Sequence, residues 1–168
     1  LACLMLVVAA VFAQPPAGSP DVRMVTVEGE GAKYWPVWRG PSGQGLVTGA
    51  YTDTWSATEN VLWKKPVAGR GNSSPIVWGD RIFLTTAHDG GRRVSLIAFR
   101  RTDGTQLWET FAPDGRTGRV HYKNGHASAT PSTDGTLIYA SFGSRGLAAF
   151  DFSGKLVWHK DLGDVDNY

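Results

Sequence analysis

The sequence predicts an all-β fold of the propeller kind, built from repeated four-stranded blades. Two observations carry that expectation, and a third agrees with it. Two segments of the 168-residue chain match each other, each holding four short β-rich runs. Gly/Asp and Ser-Gly pairs of the hairpin kind punctuate those runs: Gly79-Asp80, Asp103-Gly104, Asp134-Gly135 and Ser153-Gly154. The composition, with 21 glycines, seven tryptophans and seven phenylalanines, suits turn-rich β structure. Four antiparallel strands repeating every ~40–50 residues make the blade of a propeller. A β-sandwich would explain the turns but not the matched copies.

The elements follow in chain order. Residues 1–13, LACLMLVVAAVFA, form an apolar run without a charge. Spanning a bilayer takes ~20 residues, so the run is too short for that and reads instead as the core of a signal peptide. Cleavage is expected near Ala13, after Val11-Phe12. No Met opens the chain and no basic stretch precedes the run, so the gene product is expected to be truncated at its amino end. Cys3, the single cysteine, would leave with the signal, and the mature chain is expected outside the cytoplasm, in the periplasm or the extracellular space. Residues 14–33 carry Pro15, Pro16, Gly18 and Pro20 and read as a linker, with ordered sequence expected from Tyr34. Val61-Leu62-Trp63-Lys64 looks like the last strand of a blade whose other strands are absent.

The first full copy, about 72–112, predicts strands at 75–78, 81–87, 94–101 and 106–111. The second, about 126–162, predicts strands at 129–133, 136–142, 146–151 and 156–160. The copies differ mainly in the middle loop, where Ala87 to Ser95 faces the shorter Gly143 to Gly146; insertions confined to one loop are what a structural repeat predicts. Two blades and one strand cannot close a ring of ~4–8 blades, so 34–168 is expected to be part of a larger propeller.

Charge and cysteine content exclude several partner classes. Seventeen Lys+Arg against fifteen Asp+Glu give a net charge of +2, too small to argue for nucleic acid or an anionic membrane. One cysteine excludes a disulfide framework, a four-cysteine zinc site and a C-x-x-C-H haem attachment. No transmembrane span is expected in the mature chain.

Ala98-Phe99-Arg100-Arg101-Thr102-Asp103-Gly104-Thr105-Gln106-Leu107-Trp108 and Ala149-Phe150-Asp151-Phe152-Ser153-Gly154-Lys155-Leu156-Val157-Trp158 resemble the tryptophan-docking repeat A-x-D-x-x-T-G-x-x-x-W of the pyrroloquinoline-quinone (PQQ)-like propellers. Asp151, Gly154 and Trp158 fit the motif well, whereas Arg100 replaces the aspartate in the first copy. Trp35-Pro36-Val37-Trp38-Arg39-Gly40-Pro41 looks like the opening motif of secreted bacterial members, and Lys123 to Pro131 is similar to a segment in the same proteins. The resemblance covers about Tyr34 to Leu162 and spans proteins of different function: quinoprotein alcohol dehydrogenases, the BamB-type outer-membrane assembly scaffold and propellers of other kinds. It implies that Trp63, Trp108 and Trp158 end blades and wedge against a neighbour, each hydrogen-bonding through its indole N–H. Gly104 and Gly154 would supply the turn that aims the strand.

Candidate chemistry is sparse. His121-Tyr122-Lys123-Asn124-Gly125-His126 is the densest polar cluster and lies in the loop between blades, where propellers gather binding residues. His121, Lys123, Asn124 and His126 are therefore the candidate ligand-face residues. Two histidines five apart lack an apparent third metal ligand, and a solvated or structurally hydrogen-bonded loop is the better reading of them. Asn72-Ser73-Ser74 is a glycosylation sequon. Gly69-Arg70-Gly71 is not a phosphate loop, Asp164 to Tyr168 lacks the rest of a calcium loop, and no Ser-His-Asp set can be assembled. The expected function is a non-catalytic binding or scaffold module without cofactor, with an unknown protein or small molecule on a propeller face. The alternative is part of a PQQ-dependent dehydrogenase, which would need an aspartate base and a Ca²⁺ ion held by carboxylate and amide oxygens.

Overall fold

The computed structural model describes residues 28–47 and 49–165. The apolar run 1–13, Cys3 and residues 14–27 of the expected linker lie outside the described residues. Two four-stranded antiparallel meanders make up the fold. The first holds β1 (Ile76–Trp78), β2 (Arg81–His88), β3 (Arg93–Arg100) and β4 (Gln106–Phe111); the second holds β5 (Ser132–Thr133), β6 (Leu137–Ser141), β7 (Leu147–Asp151) and β8 (Leu156–Lys160). Both sheets run in simple sequence order, so each is one propeller blade.

The turns set this register. Trp78 pairs with Arg81, leaving Gly79-Asp80 as a two-residue loop with Gly79 at φ +60°. The Gly104 loop is one residue longer than the Gly154 loop: Arg100 N–H donates to the Thr105 carbonyl at 2.8 Å, and Asp151 N–H to the Lys155 carbonyl at 2.9 Å. Each blade also carries a register shift at the same place, between Ala98 and Phe99 and between Ala149 and Phe150. Such a bulge adds local twist.

The core lies between the blades. Phe83 and Ala87 of β2 and Leu96 and Ala98 of β3 share one cluster with Ile138, Ala140, Ala148 and Phe150 of the second sheet. Phe83 and Phe150 are fully buried, and each contributes about 1.5–3 kcal/mol by the usual transfer scale. Phe83 meets Phe152 edge-on at 5.3 Å and the Trp108 ring at 5.9 Å. β3 is buried along six consecutive positions, which is why its sequence reads as a nearly unbroken apolar run rather than an alternation.

Several expected boundaries change. A five-residue strand at 129–133 shrinks to Ser132–Thr133. Its expected first half bonds across to the other blade instead: Thr85 Oγ1 donates to the Ala129 carbonyl at 3.0 Å, Ser74 N–H donates to Thr130 Oγ1 at 3.1 Å, and Pro131 has no N–H to give. The loop around Asp134-Gly135 has four residues between the paired Thr133 and Ile138, because Asp134 Oδ1 accepts both the Thr136 and Leu137 N–H groups at 2.8 Å. Residues 61–64 form no strand; a strand exists through its ladder, and no described strand runs beside them. Regular backbone also starts before Tyr34, with a 3-10 turn at Gly29–Lys33.

The opening motif joins the blades. Trp35 exchanges two backbone hydrogen bonds with Val77 of β1, at 3.0 and 2.8 Å, while the Pro36 carbonyl accepts the Thr133 N–H of β5 at 2.9 Å. Adjacent residues thus hold the first strands of both sheets.

Candidate functional site

Strand direction sorts the molecule into two faces. Arg81 pairs with Arg100, so the β1–β2 and β3–β4 turns share one end of the first blade. His88 pairs with Arg93, so the β2–β3 turn lies at the other end, with the end of β4 and the long connection 112–131.

The first face is where indoles meet glycines. Trp108 Nε1–H donates to the Phe152 carbonyl at 3.1 Å, and a β-carbon added to Gly154 would stand 2.6 Å from its Cδ2. Trp63 repeats the arrangement one blade earlier: its Nε1–H donates to the Arg101 carbonyl at 2.7 Å, and a β-carbon on Gly104 would stand 2.5 Å from its Cε3. Trp78 lies over Gly135 in the same way, at 2.2 Å. All three glycines have positive φ, so both backbone conformation and close approach demand glycine. Trp158 is 38% exposed and its ring meets Tyr139 at 6.1 Å, within its own blade.

Aspartates fasten the same turns. Asp151 Oδ1 accepts from the Ser153 hydroxyl (2.6 Å), the Ser153 N–H (2.8 Å) and the Lys155 N–H (3.0 Å), and these bonds, led by the Ser153 hydroxyl, lower its pKa. In the first blade Arg100 stands where the motif has aspartate, but Asp103 takes over the cap. Its carboxylate accepts the Thr105 N–H at 2.8 Å and a hydrogen bond from Arg100 at 2.9 Å. The Thr105 backbone bond first, then the Thr105 side chain and Arg100, pull its pKa down to about 2.

The opposite face holds two adjoining clefts, of about 780 and about 390 Å³, which share Gly91, Val120, Gly125 and His126. His121, Lys123, Asn124 and His126 all line the larger one. They do not converge as a ligand set. His121 Nδ1 accepts the Lys123 N–H at 3.3 Å while its ring packs, tilted by 41°, against Tyr122 at 4.4 Å. The Lys123 carbonyl accepts from Asn72 Nδ2 at 3.4 Å, and Asn124 is exposed. His126 is half-buried and lies against Gly91, where an added β-carbon would come within 1.9 Å of its Cδ2.

The smaller cleft brings in a residue the sequence did not single out. Arg145, in the 3-10 turn Gly143–Arg145 between β6 and β7, is only 8% exposed. It donates through Nη2 to the Arg92 carbonyl and, at 3.1 Å, to Thr117 Oγ1. His159 Nε2 donates to the Arg145 carbonyl at 2.5 Å, fixing the turn from β8. Among the described residues no Asp or Glu lines either cleft. Those described walls lack the carboxylate oxygens that a Ca²⁺ ion takes. Among the described residues no group of three or more His, Cys, Asp or Glu side chains stands together.

Two matched blades with indole-on-glycine docking set the context for comparison. The family model described as outer membrane protein assembly factor BamB matches residues 30–167. The chain belongs to this BamB-like PQQ-repeat family. No curated protein matches it. No helix among the described residues is long and apolar enough to cross a membrane.

Proposed function

We propose that this BamB-like chain is an exported, non-catalytic binding or scaffold module whose working surface is the face carrying the two clefts. The observation that carries the reading is the composition of that face. It is walled by the β2–β3 turn, the β6–β7 turn and the connection 112–131, and the described residues that line its clefts offer hydrogen-bonding and cationic groups but include no carboxylate to act as base or hold Ca²⁺. The opposite face is occupied with docking one blade on the next. A periplasmic location accords with the family description and with the apolar run at 1–13.

The test has two arms. Purified protein mixed with PQQ and Ca²⁺ and given an alcohol and a dye acceptor should show no turnover; saturable PQQ binding with dye reduction would overturn the non-catalytic reading. Protein exported from a version with an initiating Met placed before Leu1 should begin near Gln14, and a product still carrying residues upstream of Leu6 would overturn the signal assignment.

A further inference from the structure

We propose that the smaller cleft binds an oxyanion — a carboxylate or a phosphate group on a larger ligand — with the buried Arg145 guanidinium as its anchor. The proposal rests on the binding-face reading above and gives it a ligand class.

Arg145 is 8% exposed, yet both groups that accept from its guanidinium, the Arg92 carbonyl and the Thr117 hydroxyl, are neutral. Among the described residues it forms no ion pair within 4 Å. Buried charges are normally paired, because desolvating an ion costs several kcal/mol and a counter-charge offsets it. A guanidinium has five N–H donors in a planar fork. Among the described residues no acceptor stands at Nε or Nη1, and no fully buried side-chain nitrogen lacks a partner, so these donors keep some solvent access in a residue that lines the cleft. A bidentate oxyanion would meet that fork and supply the missing charge.

The surroundings carry the same sign. Arg116 lines this cleft, Arg70 and Lys123 line the adjoining one, and no Asp or Glu is among the described lining residues. In a chain with 17 Lys+Arg and 15 Asp+Glu, composition does not account for that one-sided lining. The acidic residues of this face, Asp89, Asp114 and Asp164, are not among the lining residues, and Asp164 pairs with Arg116. A neutral occupant would leave Arg145 uncompensated, so anionic ligands are favoured over neutral ones.

The experiment is an amide-shift titration of the isotope-labelled chain at constant ionic strength, with inorganic phosphate, citrate and a neutral disaccharide in separate arms. Gly91, Gly118, Gly125 and Gly143 line the clefts and are the reporters. The expected result is saturable movement of these amides with phosphate or citrate and none with the disaccharide; the tighter arm identifies the phosphate or the carboxylate source. Arg145→Lys keeps a charge but loses the fork, and should weaken binding about tenfold. Should that variant not fold, the exposed Arg116→Ser is the substitute, with a two- to threefold loss expected from its rim position. Shifts that grow without saturation, or binding untouched by a folded variant, would overturn the proposal. Movement with the disaccharide alone would overturn it while leaving the binding face in place. Silence in all three arms would overturn it too, without bearing on the dye-linked assay of the broader reading.

Discussion

The indole of Trp108 lies against the α-carbon of Gly154 in the next blade, where any β-carbon would stand 2.6 Å from Cδ2. The same glycine has φ +88°, so an L side chain is unfavourable there for two independent reasons. Trp63 and Gly104 repeat the relationship, so docking is a property of the repeat rather than of one contact.

Gly154→Ala should destabilise the fold by about 2–4 kcal/mol, combining left-handed strain with overpacking. The double variant with Trp108→Ala should lose less than the two singles together, because removing the indole removes the clash. Denaturant midpoints for the four proteins test this; strict additivity would show that the two residues do not touch.

Trp108→Ala should cost about 3–5 kcal/mol, as large aromatic truncations in cores do. Trp108→Phe keeps most of the packing but loses the hydrogen bond to Phe152, and should cost about 1 kcal/mol through that bond. In a protein of these 168 residues, Trp158→Ala should cost about 1 kcal/mol or less, since the ring is 38% exposed and has no carbonyl acceptor among the described residues. Equal losses at 108 and 158 would contradict the docking geometry.

These contrasts show what the sequence made legible. Strands 106–111 and 156–160 appear at their expected limits, because short β-rich runs between Gly/Asp turns depend on local chemistry. Asp103's role as stand-in for the missing aspartate was hidden by its displacement into the turn. The reason Gly104 and Gly154 must be glycine lies deeper: the sequence shows them as turn formers, whereas the obstacle is an indole more than forty residues earlier. Arg145 gave no local signal. Its interest comes from burial without a carboxylate, and long-range packing decides that.

Acid should weaken the fold through the turn aspartates. The pKa of Asp103 is lowered to about 2, and those of Asp134 and Asp151 are also lowered. A depressed folded pKa gives stability that is complete above the unfolded value, near pH 4. That stability is lost as pH falls through the folded value, so the denaturant midpoint should drop between about pH 4 and pH 2. Asp103→Asn and Asp151→Asn together should flatten that drop while changing little at pH 7 in comparison with the corresponding alanines.

A second polar cluster crosses β2, β3 and β4. The fully buried Ser95 donates to Glu109 Oε1 at 2.6 Å, and His88 Nε2 reaches the same oxygen at 2.7 Å. Glu109→Ala should cost about 1–3 kcal/mol, because it leaves Ser95 with only a 3.5 Å contact to the Thr86 carbonyl. Removing Ser95 as well should recover part of that loss, measured by thermal or urea unfolding.

Trp35 and Pro36 bond to β1 and β5, strands that lie far along the chain from them and from one another. Contacts of such long sequence separation slow folding, because the intervening loop must close before they form. The opening segment cannot take its full set of partners until both sheets exist, although it is the earliest described part to be synthesised. Assembly therefore runs opposite to chain order here: the blades form first, and the leading residues lock over them afterwards.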